Sequence, residues 1–91
     1  METIHLLITG KVQGVFFRQT AARMAHTLGI TGWIKNTKDA KVEAVITGYK
    51  DDVKRFITWC QAGPEEANVE DVVVSKQPDA IFNTFEVIRG R

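Results

Sequence analysis

A single cysteine, Cys60, stands among 91 residues, so no intrachain disulfide can form. With no Cys-x-x-Cys pair and no His/Cys cluster, the spacing of metal ligands is absent too, and neither a metal nor a cofactor is expected. Long apolar runs are also missing: no window approaches the roughly 18 residues of a membrane-spanning helix. The start, METIHLLITG, carries Glu2 and has no basic flank, so no secretory leader is expected. Nor is there an excess of charge of one sign. Twelve Lys and Arg stand against 11 Asp and Glu, a net charge of +1 and a pI near 7.9, far from the basic footprint of a nucleic-acid binder. Any attraction for anions must therefore be local. No repeat, low-complexity tract or linker divides the chain, so residues 1–91 are expected to form one domain, monomeric and cytoplasmic, with neither nucleic acid nor membrane as partner.

What is present is period. Ile4, Leu6 and Ile8 alternate with Thr3, His5, Leu7 and Thr9, the pattern of a strand with one face on a core. After GKVQGVFF, read as a loop, the period changes at Arg18: Ala21, Ala22, Ala25 and Leu28 share one helical face, and Gly29 suits a left-handed C-terminal cap. TGWIKN (31–36) and KVEAVIT (41–47) read as strands around the turn Thr37-Lys38-Asp39-Ala40. Val53, Phe56, Ile57 and Cys60 mark a second helix, with Asp51 and Asp52 as first-turn acids and Gly63-Pro64 as its stop. A β-branched run from Val69 to Lys76 and a short strand TFEVI (84–88) complete the chain.

The order β-α-β-β-α-β-β, with right-handed crossovers and both helices on one face, predicts a ferredoxin-like α/β sandwich of the α+β class. Its sheet is expected to be antiparallel, with four to five strands. In that fold the first two helix-linked strands run parallel with the third between them, so their C-terminal ends lie about 10 Å apart on one edge. Arg18 and Asn36 then address one small ligand.

GKVQGVFFR is an odd connector: glycines, no acid, and an arginine at a helix start. Gly14 permits positive φ or close approach to an anion, the helix N-terminus contributes N–H groups and partial positive charge, and Arg18 adds a planar fork suited to phosphate oxygens. It is neither a Walker A loop nor G-x-G-x-x-G. From the residues alone an ordinary glycine-bearing connector with a solvated arginine is the commoner arrangement.

The motifs carry a resemblance. GKVQGVFFR resembles the first signature of the acylphosphatase family, G-x-V-Q-G-V-x-[FY]-R, and GWIKNTKDAKVEAVITG resembles its second; GPEEANVEDVVV is similar to a later GP…A-x-V…V segment. The likeness covers nearly the whole chain and implies the same sandwich. It implies that Arg18 is the phosphate-binding catalytic arginine. Gln13, Gly14, Val15, Phe16 and Phe17 would be a cradle of main-chain N–H groups around the phosphoryl oxygens, and Asn36 the residue that orients the attacking water. The implied substrate is a small-molecule acyl phosphate, cleaved without metal to carboxylate and inorganic phosphate.

That chemistry explains the absences. A carboxylate leaving group, with a conjugate-acid pKa of about 4 to 5, departs unprotonated, so no general acid is required. Loose phosphoryl transfer asks for positioning and for charge stabilisation on the equatorial oxygens. The cradle and Arg18 supply the second and Asn36 the first. Asparagine is no base, so the water proton is expected to end on a phosphate oxygen.

Three departures from the family pattern stand out: Ala40 where a turn glycine is usual, Ile34 where the residue is usually smaller, and a tail, EVIRGR, without the closing aromatic. Because alanine in left-handed space costs about 1–2 kcal/mol, the turn is expected to put Asp39 there instead. Lys35, Lys38 and Lys41 read as a solvated hairpin, or as a patch steering a dianion toward the cradle. His5 and His26 read as surface residues, and Cys60 as core. Trp33 is expected to pack under the site and Trp59 beside the second helix's buried face. Alternatives of another class are a non-catalytic anion- or RNA-binding ferredoxin-like module, a domain of a larger carbamoyl-phosphate-using machine, and a vestigial site. The short chain and the presence of both Arg18 and Asn36 weigh against the last two; central strands without aromatics weigh against the RNA reading.

Overall fold

The structure is a computed structural model and describes residues 1–89; Gly90 and Arg91, the last of the expected domain and tail, lie outside the described residues. The elements are β1 (Glu2–Lys11), α1 (Phe17–Leu28), β2 (Thr31–Asn36), β3 (Val42–Gly48), α2 (Lys50–Ala62), β4 (Asn68–Gln77) and β5 (Phe85–Ile88). They form the ferredoxin-like α+β fold, one sheet ordered β4-β1-β3-β2-β5. As expected, β1 and β2 run in the same direction on either side of β3, to which both are antiparallel.

The sheet is not wholly antiparallel. β5 pairs in parallel with β2, Ile34 opposite Val87 and Lys35 opposite Ile88. The reason lies in the connection from β4. That strand, antiparallel to β1, ends where β1 and β2 begin, and the chain then crosses under the sheet instead of turning back. Thr3 and Thr47 secure the crossing: their hydroxyls lie 2.7 Å apart, Thr47 Oγ1 donates to the Ala80 carbonyl at 2.9 Å, and the Ala80 N–H donates to Thr3 Oγ1 at 2.9 Å. A strand that starts at this end has only one direction open to it.

Register assigns the faces. Ile4, Leu6 and Ile8 of β1 stand opposite Ile46, Ala44 and Val42 of β3, and Ile34 of β2 stands opposite Ala44. These residues are buried under Ala21 and Ala25 of α1 and Val53, Phe56 and Cys60 of α2. Burying side chains of this size contributes about 1.5–3 kcal/mol each. The other face is open and more polar: His5 Nε2 lies 2.7 Å from Glu43 Oε2, and Lys35 Nζ is 3.8 Å from Glu43 Oε1 and 5.4 Å from the Trp33 ring centroid. Trp33 therefore lies on the face away from α1 and α2, because period two carries it opposite Ile34; it does not pack under the site. Trp59 does flank α2's buried face, its ring 5.3 Å from that of Phe17. α1 ends at Gly29 in left-handed conformation (φ 69°), its N–H donating back to the Ala25 and His26 carbonyls.

Candidate active site

The loop between β1 and α1 is pinned from below and open above. Val12, Val15 and Phe17 are buried. Between them Gly14 (φ 75°) and Phe16 (φ 62°) take left-handed backbone, with Val15 outside that region. Alternating hand across successive residues turns main-chain N–H groups toward one concave side, a nest for an anion. A Cβ at Gly14 would meet nothing within 4 Å, because that side is open space. Phe16, bulky and 70% exposed, bears the strain of left-handed backbone as the N-cap of α1.

As N-cap Phe16 offers no side-chain hydrogen bond, and the first turn carries no acid. The first main-chain donation back onto the loop runs from the Thr20 N–H to the Phe16 carbonyl, at 3.1 Å. The N–H groups of Phe17, Arg18 and Gln19 therefore have no intrahelical acceptor, and the helix dipole reinforces their positive potential.

These groups border a cleft of about 240 Å³ at the C-terminal edge of β1 and β2, lined from the loop and helix by Gly14, Phe16, Phe17, Arg18 and Gln19. Asn36 enters from the end of β2 and Val87 and Arg89 from the end of β5. Asn36 stands opposite Val42, on the helix-covered face. Its Oδ1 is buried and, among the described residues, has no hydrogen-bond partner. A buried acceptor left unpaired costs about 1–3 kcal/mol, so this oxygen is able to accept a hydrogen bond within the cleft. Arg18 Nη1 donates to the Ile88 carbonyl at 3.2 Å, drawing the guanidinium toward the end of β5. Among the described residues no carboxylate lines the cleft, and no three His, Cys, Asp or Glu side chains converge.

The residues singled out from sequence divide by place. Arg18 and Asn36 line one cleft with Gly14, Phe16 and Phe17. Val15 is buried beneath it. The Gln13 side chain turns away, its Nε2 donating to the Thr37 and Lys41 carbonyls at 2.9 and 2.8 Å. The turn differs from expectation. Ala40 itself is left-handed (φ 68°), not Asp39. The Thr37 hydroxyl donates to Asp39 Oδ1 at 2.5 Å and accepts from the Lys41 N–H at 2.9 Å, and the Thr37 N–H donates to the Lys41 carbonyl at 2.9 Å. That pairing fixes the tight turn at Thr37 to Asp39 and leaves the left-handed closing position to residue 40. The Thr37 hydroxyl also holds the exposed Asp39 carboxyl below its usual pKa. Of the hairpin lysines, Lys35 lies on the open face against Glu43, and Lys41 Nζ is 3.5 Å from Asp39. Gln19, Val87 and Arg89 were not foreseen. For the last two, the period-two series Phe85, Val87, Arg89 was a usable signal, but it points to the site only once β5 is known to run beside β2.

Compared with known proteins, the chain matches the family model described as Acylphosphatase over residues 4–87. The chain belongs to the acylphosphatase family. An acylphosphatase of Trichormus variabilis is 44% identical over 86 residues, 94% of this chain and 85% of its own. Two solved acylphosphatases share the fold. That from Coxiella burnetii has a TM-score of 0.92 at 36% identity, covering 96% of this chain and 92% of its own. That from Bacillus subtilis has a TM-score of 0.94 at 26% identity, covering 98% and 100%. Membership of the acylphosphatase family makes this chain an enzyme of the hydrolase class. Among the described residues, no helix of this acylphosphatase is long and apolar enough to cross a membrane.

Proposed function

We propose that the cleft hydrolyses the carboxyl–phosphate bond of small acyl phosphates without a metal, in a monomeric, cytoplasmic single-domain enzyme. The phosphoryl oxygens take the N–H groups of the Gln13–Phe17 loop and of the first turn of α1, together with the Arg18 fork. These donors are fixed before substrate arrives, so they stabilise charge on the equatorial oxygens with little reorganisation. Water accepts its place from Asn36: one hydrogen goes to Oδ1, which leaves an oxygen lone pair aimed at phosphorus. As the water oxygen bonds to phosphorus, the bond to the acyl oxygen breaks and its electrons leave with the carboxylate. The water's proton passes to a phosphate oxygen, and inorganic phosphate results.

The observation that carries this reading is the buried, unpartnered Oδ1 of Asn36 in the same cleft as Arg18 and the free helix N–H groups. The test is benzoyl phosphate hydrolysis with and without EDTA, by the unsubstituted protein and by Arg18→Ala, Arg18→Lys and Asn36→Ala. Turnover that ignores EDTA and falls by about 10² to 10³ in each variant is expected, the usual effect of removing one such donor. Arg18→Lys belongs with the losses because an ammonium keeps the charge without the planar fork. Near-normal turnover by Arg18→Lys would remove the guanidinium from its role.

A further inference from the structure

We infer that Arg89 selects acyl phosphates whose acyl part carries an anionic group of its own, a carboxylate or a second phosphate; this rests on the hydrolytic reading above. The parallel register of β2 and β5 pairs Ile34 with Val87 and Lys35 with Ile88, so the next step along both chains sets Arg89 abreast of Asn36. Period two puts Arg89 on the face of Val87, and both line the cleft. Adjacent chains lie about 4.8 Å apart, so the Arg89 main chain runs beside that of Asn36, and its exposed side chain reaches the same cleft from the end of β5.

In-line displacement decides which part of the substrate Arg89 meets. The acceptor atom of Asn36 is buried, so the attacking water occupies the inner end of the cleft. The leaving group must lie on the opposite side of phosphorus, at the mouth, where the exposed residues Phe16, Gln19 and Arg89 border the opening. Arg18 is drawn to the Ile88 carbonyl immediately before Arg89, so two guanidinium groups share the end of β5. Among the described residues no carboxylate lines the cleft to offset them. Like charges so placed repel until an anion lies between them. A phosphoryl group already served by the loop and Arg18 leaves the charge of Arg89 unmatched, and an anion on the acyl group completes the pairing.

The experiment compares kcat/KM for succinyl phosphate, whose acyl part ends in a carboxylate, with that for benzoyl phosphate, whose acyl part is neutral. It uses the unsubstituted protein, Arg89→Ala, Arg89→Lys and Arg89→Glu, with inhibition by inorganic phosphate measured for each. Arg89→Ala is expected to lower the succinyl-to-benzoyl ratio by about three- to fivefold, the scale of a solvent-exposed ion pair. Most of the change should fall in KM. Arg89→Lys should recover part of the ratio and Arg89→Glu lower it further, and added salt should shrink the differences. A ratio indifferent to all three substitutions, with both substrates turned over, overturns the proposal alone. Equal losses on both substrates with weakened phosphate inhibition also overturn it, since Arg89 would then hold the transferring phosphoryl group. Failure of the unsubstituted protein to hydrolyse either substrate overturns the hydrolytic reading and this one with it.

Discussion

Gln13 Nε2 donates to the Thr37 carbonyl at 2.9 Å, which joins the loop after β1 to the residue that follows Asn36. The same nitrogen reaches the Lys41 carbonyl at 2.8 Å. One side chain thus ties the loop between β1 and α1 to the strand end that carries Asn36. The family resemblance implies a main-chain N–H of Gln13 at the phosphate, whereas its side chain ties the loop to the turn after β2. Gln13→Ala leaves two carbonyls without this donor, a loss of about 1–3 kcal/mol in stability. A small misplacement of reacting groups costs up to about 10²-fold in rate, so kcat should fall more than the affinity for inorganic phosphate. Steady-state kinetics with phosphate as inhibitor measure both. Equal losses would place Gln13 in the phosphate contacts instead.

Ala40 carries a conformational cost that glycine would not. Its φ of 68° puts Cβ against the neighbouring carbonyl, a strain of about 1–2 kcal/mol. Glycine relieves it but has more freedom to lose on folding, which returns about 0.4–1 kcal/mol. Ala40→Gly should therefore stabilise the protein by about 0.5–1 kcal/mol, a rise of a few degrees in Tm for a domain of this size. Thermal unfolding followed by circular dichroism reads it. Activity should hold, because the Thr37–Lys41 hydrogen bonds already give the turn the shape that glycine prefers.

Cys60 offers a pH signature of the core. Fully buried on α2, its thiol is pushed far above its ordinary value of 9.0 by desolvation of the thiolate. The folded protein keeps the proton where the unfolded chain loses it. Its contribution to stability is thus complete below about pH 9 and declines above it, by up to about 1.36 kcal/mol per pH unit. Urea titrations at pH 8 and pH 10 should show the decline, and Cys60→Ala should flatten it at the expense of some core packing. A thiol reagent should label Cys60 only as fast as the molecule opens. Rapid labelling under native conditions would contradict the burial.

Periodicity located every element to within a residue or two because each strand or helix has one apolar face and a glycine or turn at its end. Three things were not legible. The direction of β5 depends on the Thr3 and Thr47 hydroxyls catching Ala80, a contact between residues far apart in sequence. The left-handed residue of the hairpin turn depends on which side chain Thr37 engages. The presence of Arg89 in the cleft depends on the strand order, which no local pattern encodes. That Arg18 and Asn36 line one cleft was legible from the strand order and the family motifs.

Asn36 should separate activity from stability. Its Oδ1 is buried without a partner, so the folded protein bears the desolvation of an acceptor and gains nothing from it. Removing that atom removes the cost. Asn36→Ala should thus leave Tm at or above that of the unsubstituted protein, while acyl phosphate hydrolysis falls by about 10² to 10³. Asn36→Asp is the sharper comparison. If the amide only orients water, a carboxylate at the same place repels the dianionic phosphoryl group and activity drops as well. If turnover rose instead, a true base would be assisting, and the transfer of the water's proton to a phosphate oxygen would be wrong. Inorganic phosphate gives the remaining control: its affinity should survive Asn36→Ala, because the loop N–H groups and Arg18 are untouched. A combined loss of Tm, turnover and phosphate binding would mean instead that Asn36 holds the strand end in place.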